Sequence, residues 1–253
     1  MTVALTLALG TVIGSLLGLL GGGGSILAVP VLVYALGIPL EQAVPMSLIV
    51  VGIASLFGSF PKVTAREVQW PVAAVFAATG FLAAFAGSAV NRMLPPSITM
   101  TGFAIVMVVA GIRMLTETGG TGTACRAVDS TVNWRRCTSR AIPAGLGVGF
   151  LTGLFGVGGG FLIVPALVLL LGITMPVAVG TSLVIVSANS ASGVLAYLGD
   201  LTLDWGLVVA FTSTAIAGSF VAGRFGKRIN TAQLQKWFAY LIFAVAGFVV
   251  LQV

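Results

Sequence analysis

Ten apolar runs follow one another along the chain, at roughly 3–20, 25–37, 43–60, 68–90 and 97–115, then 141–155, 160–172, 177–198, 205–223 and 234–252. Short polar or Gly/Pro-rich stretches separate them. Windows such as Thr99–Met114 and Trp237–Val253 carry almost no charge over most of the about 20 residues that a helix needs to cross a bilayer. The runs are too long and too unalternating for barrel strands, and backbone inside hydrocarbon must satisfy its own hydrogen bonds. The pattern predicts an all-α, polytopic integral membrane protein.

The pattern is also duplicated. At an offset of 135 positions, Gly18–Gly58 aligns without a gap with Gly153–Gly193, and about half of the positions are identical. Gly18-Leu19-x-Gly21-x-Gly23-Gly24 meets Gly153-Leu154-x-Gly156-x-Gly158-Gly159, and Val29-Pro30 meets Val164-Pro165. Leu36-Gly37-Ile38 meets Leu171-Gly172-Ile173, Ser47-Leu48 meets Ser182-Leu183, and Trp70, Phe76, Thr79 and Phe85 meet Trp205, Phe211, Thr214 and Phe220. Each half is one unit of five segments, 1–116 and 140–253, joined by a polar linker over 117–139.

An odd number of segments per unit requires the second copy to enter the membrane from the opposite side. Charge placement agrees. If the amino terminus lies on one face, eleven of the twelve Lys and Arg fall on the other, in the loop with Lys62 and Arg66, the linker, the loop with Arg224, Lys227 and Arg228, and at Arg113 and Lys236. Only Arg92 stays on the first face, beside Glu41, Asp200 and Asp204. The positive-inside tendency makes the basic face cytoplasmic, the linker with it, and leaves both termini outside.

The second run of each half spans about 20 Å at 1.5 Å per residue, short of a hydrocarbon core of about 30 Å. It reads as part of a broken or re-entrant hairpin whose turn is the glycine run Gly21–Gly24 or Gly158–Gly160. Glycine costs about 1 kcal/mol per residue inside a helix, and irregular backbone at membrane depth survives only in contact with protein or a wet cavity. A short helix begins after each run, so free N–H groups and the positive dipole end point at the tip, which suits an anion. Gly22, Gly23, Gly24 and Ser25, with Gly158, Gly159 and Gly160, are the candidate binding residues at the two tips. Gly21, Pro30, Gly156 and Pro165 are the candidate breaking or gating positions, since proline frees a backbone carbonyl in a helix. Close helix packing is the alternative role for glycine, and the one expected of Gly14, Gly80, Gly87 and Gly218.

The following run in each half adds polar side chains: Ser47, Ser55 and Ser59, then Thr181, Ser182, Ser187, Asn189, Ser190 and Ser192. Ser47, Thr181, Ser182 and Asn189 join the candidate site, because hydroxyl and amide groups coordinate a small oxyanion without a fixed charge. A hydroxyl in a helix usually bonds a carbonyl of the preceding turn instead. Asn189 needs partners in hydrocarbon.

Composition narrows the function. Only 7% of the 253 residues are charged and 58% are hydrophobic, with a mean hydropathy of +1.14, against roughly 25% charged in a soluble domain. The net charge of +6 belongs to membrane orientation, so no nucleic-acid partner is expected. Met1–Leu20 lacks a basic leader, and its related hairpin recurs internally, so it reads as part of the mature chain. The chain has no His, and its two cysteines, Cys125 and Cys137, read as loop thiols; no metal, cofactor, proton relay or hydrolytic site is expected. The partners expected are a small anion and membrane lipid, with a homo-oligomer left open. A channel on the same scaffold, or a membrane assembly protein, remains an alternative to a carrier.

The doubled glycine motif followed by Val-Pro, about 135 residues apart in a chain of this length, resembles the TauE/SafE family of sulfite-exporter-like permeases. The similarity runs over nearly the whole chain. It implies a prokaryotic inner-membrane permease for small sulfur-containing anions, such as sulfite, thiosulfate or organosulfonates like sulfoacetate. Gly21, Gly23, Gly24 and Pro30, with Gly156, Gly158, Gly159 and Pro165, carry the resemblance. Ser25 stands opposite Gly160, and Gly22 opposite Val157, so the two tips differ.

Overall fold

A computed structural model describes residues 2–91, 93–116, 134–155, 160–196, 204–225 and 231–252. Ten helices follow in chain order: α1 (Thr2–Leu20), α2 (Ser25–Pro30), α3 (Leu40–Thr64), α4 (Trp70–Asn91), α5 (Pro96–Thr116), α6 (Trp134–Phe155), α7 (Gly160–Pro165), α8 (Met175–Ala196), α9 (Trp205–Phe225) and α10 (Thr231–Gln252). Among the described residues no strand occurs, and the chain is an all-α membrane protein. Among the described residues, five helical stretches are long and apolar enough to cross a membrane by length and composition: Ala4–Ala35, Gln42–Thr64, Trp70–Asn91, Met175–Val194 and Trp205–Arg224.

The first of these stretches is not one straight rod. Gly21 adopts φ +67°, a left-handed conformation that side chains resist, and Gly21–Gly24 then form a 3-10 turn. The chain folds back there. A Cβ on Gly24 would approach the Leu17 backbone nitrogen to 2.6 Å, seven residues earlier in sequence. The return limb is short: α2 is six residues and continues as five π-helical residues, Val31–Ala35. α7 repeats this with Ala166–Leu170.

In both limbs the wide turn begins immediately after the proline, whose missing N–H interrupts the α ladder. Both limbs also end alike. Gly37 and Gly172 take φ +68° and +70°, and the N–H groups of Ile38 and Ile173 bond the Leu32 and Leu167 carbonyls, each at 3.1 Å. The duplicated Leu-Gly-Ile signature is therefore a helix stop with a left-handed glycine.

The two halves pack through each other. α1 runs along α9 and α4 along α6, the most extensive contacts in the molecule, and α3 crosses α8 while α5 packs on α10. Gly10, Gly14 and Gly18 of α1 meet Thr214, Ala215 and Ser219 of α9 in ascending order, so that pair is parallel. Gly145, Gly149 and Gly153 of α6 meet Thr79, Gly80 and Ala84 of α4 in the same sense. The glycines remove the Cβ atoms that would hold the backbones apart. α3 and α8, which are equivalent, run antiparallel: Leu48 packs by Gly193, Gly52 by Ser190, and Lys62 by Gly180. Phe76 and Phe211, also equivalent, are both buried in the core, whereas Phe60, Leu82 and Val209 are exposed.

Two expectations need correction. α6 starts at Trp134, ahead of the apolar run at Ala141, so Arg135, Arg136 and Arg140 belong to its first turns. Cys137 is therefore a helix residue, buried and disulfide-bonded, instead of a loop thiol. Cys125, the only other cysteine in the sequence, lies outside the described residues.

Candidate functional site

The sequence-selected residues fall into two places. At the first, the glycine turns of the two halves touch. A Cβ on Gly22 would collide with the Gly160 carbonyl oxygen, and one on Gly160 would lie 2.6 Å from Ser25 Oγ. Ser25 Oγ donates to the Gly22 carbonyl at 2.6 Å. Ser182, from the other half, accepts the Gly22 N–H at 3.3 Å and donates to the Val179 carbonyl at 2.9 Å. Gly23 packs under the Phe238 ring of α10. The equivalent ring of α5, Phe103, meets Phe161 of α7 edge-on at 5.4 Å. Gly21–Gly24, Ser25 and Gly160 are all buried, and Thr181 is occupied by the Gln69 N–H at 3.1 Å. Gly156, Gly158 and Gly159 lie outside the described residues.

At the second place, α3, α4, α6 and α8 line an open-sided cavity of about 320 Å³. Ser47 of α3 and Asn189 and Ser190 of α8 form part of its wall, facing Phe76, Phe81 and Phe85 of α4. Gly145, Gly149 and Gly153 of α6 leave it room. Val29 and Ile163 bring the two return limbs into its lining, whereas Gly21–Gly24 and Gly160 do not belong to it. Ser47 donates to the Val44 carbonyl at 2.7 Å, and Thr152 and Ser192 likewise bond carbonyls of their own helices. Their oxygens keep acceptor capacity towards the space. Asn189 is half-buried, lines the cavity and makes no hydrogen bond among the described residues, which leaves its amide donors free for a ligand. No charged side chain belongs to the lining, and Arg113 is exposed elsewhere.

The aromatic wall and Thr152 escaped the sequence reading. Phe76 and Phe85 were visible as duplicated positions, yet nothing in a single sequence says which face of α4 turns inward. Among the described residues no group of three or more potential metal ligands occurs.

A neutral, amphipathic cavity within a helical membrane protein can hold a small solute by dipoles and shape. Comparison with known proteins gives the family. The model of the family described as sulfite exporter TauE/SafE matches residues 6–249. The chain belongs to the TauE/SafE family. A probable membrane transporter protein of Xylella fastidiosa is 32% identical over 248 residues, covering 97% of this chain and 94% of that protein. The probable membrane transporter protein YdhB of Bacillus subtilis is 23% identical over 239 residues, 94% of this chain and 96% of its own length. No solved structure matches. As a TauE/SafE protein the chain is a multi-pass membrane transporter with a small-molecule substrate, and not an enzyme.

Proposed function

We propose that the protein carries small sulfur-containing anions, such as sulfite, thiosulfate or an organosulfonate like sulfoacetate, across a prokaryotic inner membrane by alternating access. The observation that carries this reading is the cavity itself: Asn189, Ser190 and Ser47 offer polar contacts to an oxyanion, and Phe76, Phe81 and Phe85 an apolar wall to an organic tail. Its about 320 Å³ far exceeds the about 30 Å³ share of one water, leaving room for more than a bare oxyanion. The absence of a fixed cation from the lining suits release as well as capture.

The first glycine tip serves as structure in this reading. Its Gly22 N–H is already bound to Ser182, so the anion belongs at the cavity beside the tips. A buried contact between α3 and α9, where Ser219 Oγ donates to the Ala54 carbonyl at 3.2 Å, favours a carrier over an open channel.

The antiparallel crossing of the equivalent helices α3 and α8 supports inverted repeats. The charge count favours a cytoplasmic linker, while a disulfide at Cys137 favours an oxidising compartment. We give the eleven basic residues the greater weight. An inside-negative potential then assists export of a monoanion by about 2.3 kcal/mol per 100 mV.

Proteoliposomes loaded with radiolabelled sulfite, thiosulfate or sulfoacetate test the function, with saturable, protein-dependent flux expected for at least one. Flux absent across a wider panel of small anions would refute it. Protease access to the linker in sealed vesicles tests the orientation.

A further inference from the structure

The cavity has a counterpart across the α3·α8 crossing, and there the space is filled. Asn189, Gly193 and Ala84 beside the cavity correspond at offset 135 to Ala54, Gly58 and Ser219. On the filled side Ser219 Oγ of α9 donates to the Ala54 carbonyl of α3 at 3.2 Å, and both residues are wholly buried. A Cβ on Gly58 would strike the Ser219 hydroxyl. On the cavity side the nearest atoms to Gly193 belong to Leu48 of α3, and α4 does not close the gap. Equivalent helix pairs thus stand in two different arrangements within one molecule.

The loop between α3 and α4 completes the filled side. Lys62 Nζ pairs with Glu67 Oε2 at 2.9 Å, with side chains 5% and 25% exposed. The Glu67 N–H bonds the Lys62 carbonyl at 2.9 Å, and Arg66 takes the left-handed φ of +57° that the tight turn demands. A Cβ on Gly180 of α8 would run into the Glu67 carbonyl oxygen, and the next residue, Thr181, accepts the Gln69 N–H. Residues 62–69 therefore form a strap from the end of α3 across the start of α8.

We propose that this strap, latched by the Lys62–Glu67 pair, is the closed gate of one membrane face, with the Ser219–Ala54 contact as its inner seal. The cavity is the solute site standing open towards the other face. The proposal rests on the transport reading above. In the opposite state α9 parts from α3 and α4 closes on α8, because equivalent pairs from a duplicated sequence can exchange packings. A partly buried ion pair suits a latch, since it resists the loss of one partner yet can separate as a unit into water.

Thiol labelling in sealed vesicles of both orientations tests the gate without needing a substrate. Ala54→Cys reports the sealed side and Ser88→Cys the cavity, using a membrane-impermeant maleimide, with the chain carrying only its native cysteines as the blank. Ala54→Cys should label slowly. Adding Glu67→Gln, or Lys62→Met, each of which leaves one partner unpaired, should speed it at least tenfold from the Lys62 face and slow Ser88→Cys in return. The charge-swapped pair Lys62→Glu with Glu67→Lys should restore slow labelling. Unchanged labelling of Ala54→Cys in monodisperse latch variants would overturn the gate. So would faster labelling of both probes together, which signals loosened packing. Reciprocal labelling without anion flux would leave the gate standing and remove the substrate reading, so the two fail separately.

Discussion

Ser47 and Ser182 occupy equivalent positions, and each donates its hydroxyl to a valine carbonyl three residues earlier, Val44 or Val179. Their surroundings differ. Ser182 is fully buried and accepts the Gly22 N–H, whereas Ser47 faces the cavity. Local structure followed the duplication closely, down to the glycine stops at Gly37 and Gly172. The two sides also differ at positions that the repeat does not match, among them Asn189 opposite Ala54 and Ala84 opposite Ser219. The repeat sets the frame, and at one crossing that frame packs shut while at its counterpart it leaves a space.

The strongest way to break the comparison is at the contact between the halves. Gly22→Val should destabilise the protein by about 3 kcal/mol, because its side chain meets the Gly160 backbone and not a mobile group. Loss of the monodisperse peak and a large fall in melting temperature would report it. Substituting Ser182→Ala leaves the buried Gly22 N–H without its acceptor and should cost about 1–3 kcal/mol, while Ser47→Ala should stay within about 0.5 kcal/mol. Equal melting shifts for the two serines would erase the distinction drawn here.

The amide gives a cleaner separation of site from scaffold. Asn189→Ala should weaken anion binding about tenfold, the worth of one lost hydrogen bond of about 1.4 kcal/mol, with an unchanged melting temperature. Ala54→Asn, its mirror, should lower stability by about 1–3 kcal/mol by forcing an amide into the Ser219 contact. Isothermal titration and thermal unfolding read the two effects independently. Ser219→Ala should be milder than these, about 0.5–1 kcal/mol, since a hydroxyl-sized gap and one long hydrogen bond are all that is lost.

The features legible in the sequence were those set by neighbours along the chain. The reversal at Gly21 and the short return limbs needed only the glycine run, and the stops at Gly37 and Gly172 only the repeated Leu-Gly-Ile. Asn189 stood out because an amide in an apolar run demands a partner. The start of α6 was hidden, because Arg135, Arg136 and Arg140 end the apolar run while helical geometry continues through them. The aromatic wall was hidden for another reason: which face of α4 looks inward depends on α6, more than fifty residues later. The sequence also marked Thr181 and Ser182 as ligand groups, and the structure spends both on backbone N–H groups of the other half, Gln69 and Gly22.

The parallel pairing of α1 with α9 bears on how the protein is made. α1 is made long before its partner, because the surface against which Gly10, Gly14 and Gly18 fit is synthesised some two hundred residues later. Until then its glycine stripe faces lipid or a temporary companion. The amino-terminal half expressed alone thus lacks the partners of both α1 and α4, and a protein split in the linker should recover its fold only when both fragments are produced in the same membrane.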